Sequence, residues 1–120
     1  MKLAIIGYGT QGKKRSDILK KNKIPHIIVD PFYPNAHCKY VEHLNKQISH
    51  AFLCTPDDTK LKIIKYLIKK NIKILVEKPL YFKSNSDYLN IKNLLKLHKN
   101  SFLYVAYNHR FEPNIVKLKK

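Results

Sequence analysis

A chain of 120 residues and 14.2 kDa has the length of about one ordinary domain. At 44% hydrophobic and 27% charged it is globular in composition, not disordered. No apolar run approaches the roughly 20 residues of a membrane-spanning helix, and the apolar start meets Gly7 too soon for a signal-peptide core. Cys38 and Cys54 make neither a CxxC pair nor a disulfide framework, so a reducing cytoplasm is the expected location. The formal net charge of +16 raises nucleic acid and acidic membranes as partners. However, the lysines are scattered over every segment, and Arg15 and Arg110 are the only arginines to offer a planar fork to a base. A biased, solvated surface is expected, with no specific nucleic acid and no membrane as partner.

In chain order, residues 2–6 read as a strand and 10–22 as a helix. Residues 26–30 form a second strand against Pro31, followed by a loop over 31–37 marked by Pro31, Pro34 and Asn35. Residues 38–46 read as a short strand, then a helical turn. A strand over 50–55 leads into a helix over 56–70, with Leu61, Ile64, Leu67 and Ile68 on one face. A strand over 72–77 follows. The helix over 84–99 opens on Ser84-Asn85-Ser86-Asp87, close to a capping box, and a last strand spans 102–107. Asn22, Asn71 and Asn100 stand where left-handed helix ends are expected. Strands alternating with helices predict an α/β fold, a doubly wound parallel sheet covered on both faces.

The three glycines of the chain all fall in Gly7-Tyr8-Gly9-Thr10-Gln11-Gly12, directly after a strand and opening a helix. The caps elsewhere use Asn, so positive φ alone need not explain them; a need for no side chain is the better explanation. The first glycine makes the tight turn, the second lets backbone approach a pyrophosphate, and the third lets helix and strand pack. The helix N-terminus supplies N–H donors to phosphate. The next strand ends in Asp30, 18 residues beyond Gly12, near the place of an acid that binds the adenosine ribose 2′-hydroxyl. Asp30 also suits a cap on the turn at Pro31. No Lys or Arg follows closely, which favours NAD over NADP. Lys13, Lys14 and Arg15 crowd the first helical turn, either relieved by a bound diphosphate or simply solvated.

Ligands of open α/β sheets sit outside the carboxyl ends of the strands. Those ends carry Cys54-Thr55-Pro56, Glu77-Lys78-Pro79 and Asn108-His109-Arg110-Phe111-Glu112-Pro113. Thr55 can cap the following helix with Pro56 in its first turn, compatibly with a cofactor contact. Together with the glycine motif, these stretches resemble the glucose–fructose oxidoreductase / inositol dehydrogenase / MocA (Gfo/Idh/MocA) family over essentially the whole chain, but only that family's N-terminal half. The resemblance implies a nicotinamide-dependent oxidoreductase acting on a sugar, polyol or related carbonyl compound. It implies Lys78 as a catalytic group near the nicotinamide. A lysine beside a cationic nicotinamide and apolar walls loses proton affinity and can exchange a proton with a substrate hydroxyl. Glu77, one of three Glu, could orient the cofactor or Lys78. Arg110 could hold an anionic substrate group or brace a domain interface, and His109 could donate to substrate. His37, Cys38 and His43 lack a convincing fourth ligand, so no metal is expected.

Two departures from the family pattern stand out. The family often has His four residues after the proline of Thr55-Pro56, where this chain has Lys60. The family's second domain, with its open sheet and Asp-x-x-x-His pair, has no counterpart. The expected organisation is an NAD-binding domain over residues 1–111, with 112–120 starting a helix toward an absent C-terminal domain. The chain then reads as a fragment, a truncated product, or a component needing that domain or a second copy. The alternative functions are a non-catalytic dinucleotide-binding or assembly module and, third, a basic nucleic-acid-binding protein.

Overall fold

Five parallel strands form one sheet in the order β2-β1-β3-β4-β5. The computed structural model describes residues 2–77, 80 and 82–106. The strands are β1 (Leu3–Ile6), β2 (Ile27–Val29), β3 (His50–Leu53), β4 (Lys73–Glu77) and β5 (Leu103–Ala106). The helices are α1 (Thr10–Lys21), α2 (Asp57–Lys69) and α3 (Asn85–Leu97), and a single 3-10 turn covers Val41–His43. Among the described residues, no helix is long and apolar enough to cross a membrane.

Burial explains the strand patterns. β1 is buried at every position, as a central strand covered on both faces must be, whereas β3 and β4 alternate. Ala4, Ile6, Ala51, Leu53, Ile74, Val76 and Leu103 meet Ile64, Leu67 and Ile68 of α2 and Ile91 and Leu95 of α3. On the other face, Leu3, Ile5 and Phe52 pack with Leu19 of α1 and with Ile24. Helices thus lie on both faces, as the sequence predicts, but the α1 face is covered less completely. An apolar groove there is lined by Leu19, Phe52, Leu75, Phe102 and Tyr104.

The expected cap of α3 is present: the Ser84 hydroxyl accepts from the Asp87 N–H at 3.1 Å. The asparagine expectation holds only at Asn71 (φ 60°). After α1 the left-handed residue is Lys23 (φ 58°), while Asn22 has φ −93° and its side-chain amide instead donates to the Ile18 carbonyl at 2.8 Å. Among the described non-glycine residues Asn100 has no positive φ either; α3 is followed by His98 at φ −112°.

Beyond β2, Cys38 makes an isolated parallel bridge to Val29. Counted as a one-residue strand outside β2, it turns the strand order into that of a Rossmann sheet, 3-2-1-4-5-6. The order reverses between β1 and β3, so the ends of those two strands frame the crevice. Residues 107–120, which include the boundary expected at 111/112, lie outside the described residues.

Candidate functional site

The carboxyl ends of β1, β2 and β3 are tied together by main-chain bonds. The Gly7 N–H donates to the Val29 carbonyl at 2.8 Å and the Cys54 N–H to the Ile6 carbonyl at 2.7 Å. The three glycines then separate by what surrounds them. Gly7 has φ +93°, and a Cβ there would stand 2.9 Å from the Cys54 carbonyl group, so positive φ adds a second reason for this glycine beside the expected need for no side chain. A Cβ on Gly12 would stand 2.0 Å from the Gly7 carbonyl oxygen, which fits the close helix–strand packing expected of the third glycine. Gly9 is different: its φ is −79°, open to any residue, and a Cβ there would meet nothing within 4 Å. Nothing in the described chain requires Gly9 to lack a side chain.

Gly9 is also the N-cap of α1. It offers no side-chain cap, and the first turn contains no acid. The helix therefore presents uncapped N–H groups and its positive dipole end at this turn. Thr10 and Gln11 begin that first turn. Lys13 places its ammonium 5.9 Å from the Tyr8 ring centroid, and Tyr8 packs against Tyr33 with ring centroids 4.4 Å apart.

At the end of β2, Asp30 accepts three main-chain N–H bonds. Oδ2 takes the Tyr8 N–H at 2.7 Å; Oδ1 takes Phe32 at 2.7 Å and Tyr33 at 3.0 Å. Asp30 thus caps its own turn and also anchors the glycine loop. Three bonds leave a carboxylate with about one further acceptor position. Phe32, beside it, is 91% exposed.

Thr55 does not cap α2, contrary to expectation. Pro56 holds the N-cap position without a side-chain bond, and Thr59 supplies the local hydroxyl contact, donating to the Pro56 carbonyl at 3.0 Å. The Thr55 hydroxyl oxygen is buried and has no hydrogen-bond partner among the described residues. Such an atom costs about 1–3 kcal/mol if left unpaired. Beside it, burial pushes the Cys54 thiol up to about 12; Glu77 adds to the rise while Arg15 and Lys60 oppose it.

Glu77 ends β4 on the α1 face. Its Oε2 accepts from Arg15 Nε at 2.5 Å, and the Arg15 guanidinium lies 5.6 Å from the Phe52 ring centroid. Arg15 therefore reaches toward β4, and neither of the two sequence readings, phosphate relief or simple solvation, describes that contact. Lys60, the departure noted above, is 3% exposed, and its Nζ donates to the Glu77 carbonyl at 2.7 Å. Both contacts span long sequence separations and escape local pattern reading.

Lys78, Pro79, His109 and Arg110 lie outside the described residues. Among the described residues, no group of three His, Cys, Asp or Glu could hold a metal. His37 Nδ1 accepts the Ile28 N–H at 3.0 Å, and the Cys38 thiol points to the His43 carbonyl at 3.6 Å. His26 pairs with the buried Ser16 hydroxyl at 2.7 Å.

No protein-family model matches the chain, and no curated protein matches it. Solved structures do. The chain is similar to the WlbA dehydrogenase of Thermus thermophilus in complex with NAD and α-ketoglutarate, at TM-score 0.74 and 16% identity, covering 95% of this chain and 43% of that one. It is similar to GenD2 of gentamicin A biosynthesis in complex with NAD, at TM-score 0.79 and 18% identity, covering 95% and 36%. It is also similar to the WlbA dehydrogenase of Chromobacterium violaceum in complex with NADH and UDP-GlcNAcA, at TM-score 0.73 and 18% identity, covering 88% and 34%. The chain spans well under half the length of each. These neighbours agree with the resemblance seen in the sequence motifs. At these identities the likeness is one of architecture, and the chain has the Rossmann-type α/β fold that these dehydrogenases contain.

Proposed function

We propose that this chain is the nicotinamide-dinucleotide-binding part of an oxidoreductase of the Gfo/Idh/MocA type, taking NAD in preference to NADP and acting on a sugar, polyol or related hydroxyl or carbonyl compound. The observation that carries this reading is Gly9. Its backbone needs no glycine and its surroundings leave the Cβ position empty, at the uncapped N-terminus of α1. A ligand backed against that turn supplies the missing reason. The orphaned Thr55 hydroxyl at the neighbouring strand end supports it independently.

The residues fit a dinucleotide in the following roles. The turn over Gly7, Tyr8, Gly9, Thr10, Gln11 and Gly12 receives the pyrophosphate. Asp30 offers its remaining acceptor position to the adenosine ribose, and a 2′-phosphate there would face a carboxylate with no Lys or Arg among residues 31–38. Thr55 and Pro56 border the middle of the crevice, and Glu77 borders its nicotinamide end. The bound cofactor supplies hydride exchange with substrate carbon. Lys78 moves the proton to or from the substrate hydroxyl, and His109 and Arg110 contact the substrate. These three roles rest on the family resemblance. The domain proposed for this work is residues 1–111, with substrate walls coming from a further domain or a second copy.

Calorimetry with NADH and NADPH tests the reading. NADH is expected to bind, and more tightly than NADPH. Gly9→Val should abolish binding while costing no more than about 1 kcal/mol of folding stability, since valine is a poorer N-cap than glycine but its Cβ meets no obstruction. Absence of NADH binding to the folded wild-type chain would overturn the proposal, and equal or tighter NADPH binding would overturn the role of Asp30. Binding without any turnover once a substrate domain is present would favour a non-catalytic dinucleotide module.

A further inference from the structure

Two cations from helices on opposite faces of the sheet converge on one residue. Arg15 comes from α1 and takes the Glu77 carboxylate; Lys60 comes from α2 and takes the Glu77 carbonyl. Glu77 is therefore gripped by side chain and main chain at once. Lys60 is a buried cation, and burying an ammonium is costly unless it gains strong polar partners. Helix packing alone does not need it, since an apolar side chain at that position would fill the same space more cheaply. Arg15 meets the carboxylate through Nε, and its guanidinium lies over the Phe52 ring at 5.6 Å from the centroid, so it has contacts on two sides. Only one Glu77 carboxylate oxygen is engaged by Arg15, and its side chain is 12% exposed.

We propose that Arg15 and Lys60 are positioning residues that lock Glu77 at the end of β4, so that its carboxylate meets the nicotinamide half of the dinucleotide in one fixed place. This rests on the proposed function and deepens it. It separates Arg15 from the phosphates: Arg15 acts on the cofactor through Glu77, on the half of the cleft away from Asp30.

The test compares two ligands that share the adenosine and the phosphates but differ in the nicotinamide: NADH and ADP-ribose. Dissociation constants are measured by calorimetry for the wild type, Arg15→Gln, Arg15→Lys and Lys60→Met, with thermal unfolding as a check of fold. Arg15→Gln and Lys60→Met should each weaken NADH about tenfold, the scale of one charge-assisted hydrogen bond, and leave ADP-ribose within about twofold. Arg15→Lys, which keeps the charge, should recover part of the NADH loss. The emission of bound NADH should shift toward that of free NADH in Arg15→Gln. Equal weakening of both ligands would overturn the proposal, because Arg15 would then act on phosphate or on the fold. So would unchanged NADH affinity, or no recovery with Arg15→Lys. If Lys60→Met does not fold, the two Arg15 variants decide. Wild type binding ADP-ribose as tightly as NADH would overturn this inference and leave the proposed function standing. Wild type binding neither ligand would overturn the proposed function and this inference with it.

Discussion

The crevice holds two carboxylates by opposite means. Asp30 is fixed by three main-chain N–H groups, two of them within three residues of it and the third in the glycine turn. The Glu77 carboxylate is fixed by the long side chain of Arg15, while Lys60 takes the main-chain carbonyl of the same residue, both crossing from other elements. A carboxylate held by backbone moves only if the turn itself moves. One held by long side chains depends on rotamers that carry about 2 kcal/mol of entropy apiece. The β2 end of the crevice is therefore built into the chain path, while the β4 end is assembled by packing. Different substitutions should break each half.

The largest effect is expected beneath the backbone-built half. Gly12→Val places atoms against the Gly7 carbonyl oxygen, where even a Cβ would stand at 2.0 Å, so α1 must lift from β1. A loss of about 3 kcal/mol or more is expected in denaturant unfolding, at the severe end of overpacking. Next comes the direct contrast. Asp30→Ala strips the acceptor from three N–H groups and should cost about 1–3 kcal/mol. Glu77→Gln keeps an acceptor for Arg15, whose side chain is 32% exposed, and should cost less than about 1 kcal/mol. Equal costs in chemical denaturation would erase the distinction drawn between the two ends.

Thr55→Val sharpens the comparison by its sign. It removes a buried hydroxyl that has no partner, so the free protein should gain about 1 kcal/mol in unfolding stability. NADH affinity should fall in the same variant. A loss of stability would mean that the hydroxyl is satisfied within the chain.

A last effect is one of pH, at Cys54 beside Thr55. Burial raises its thiol from an ordinary 9.0 to about 12, so the folded protein resists deprotonation that the unfolded chain accepts. The contribution to stability is complete below pH 9 and declines as pH rises toward about 12. Unfolding free energies from pH 8 to 11 should fall less steeply in Cys54→Ala than in the wild type. At pH 8, alkylating reagents should leave Cys54 unmodified until the protein is unfolded.

The same division explains what could be read from the sequence. The strands and helices were legible because apolar periodicity is local, and Ser84 with Asp87 announced its cap at a spacing of three. Asp30 was legible because its distance from Gly12 is fixed by one helix and one strand. The Arg15–Glu77 contact joins residues 62 positions apart, and Lys60 reaches Glu77 across 17. No local pattern encodes those reaches; they follow from where α1 and α2 settle on opposite faces of the sheet. Thr55 misled for a related reason. Its composition suits a cap, but Pro56 takes the N-cap place and leaves the hydroxyl facing inward without a bond. Lys23 took the left-handed turn expected of Asn22 because the Asn22 side chain folds back onto the Ile18 carbonyl.

β2 is only three residues long and lies at the rim of the sheet, where open backbone groups can template pairing with another molecule. Here the outward-facing groups are already spent. The Ile28 carbonyl accepts from His37 and Cys38, the Ile28 N–H donates to the His37 ring, and the Asp30 N–H donates to the Cys38 carbonyl. A neighbouring chain finds no vacant rung on this margin. The loop over 31–38 thus insulates the β2 edge against intermolecular zippering while costing the chain a single bridged residue.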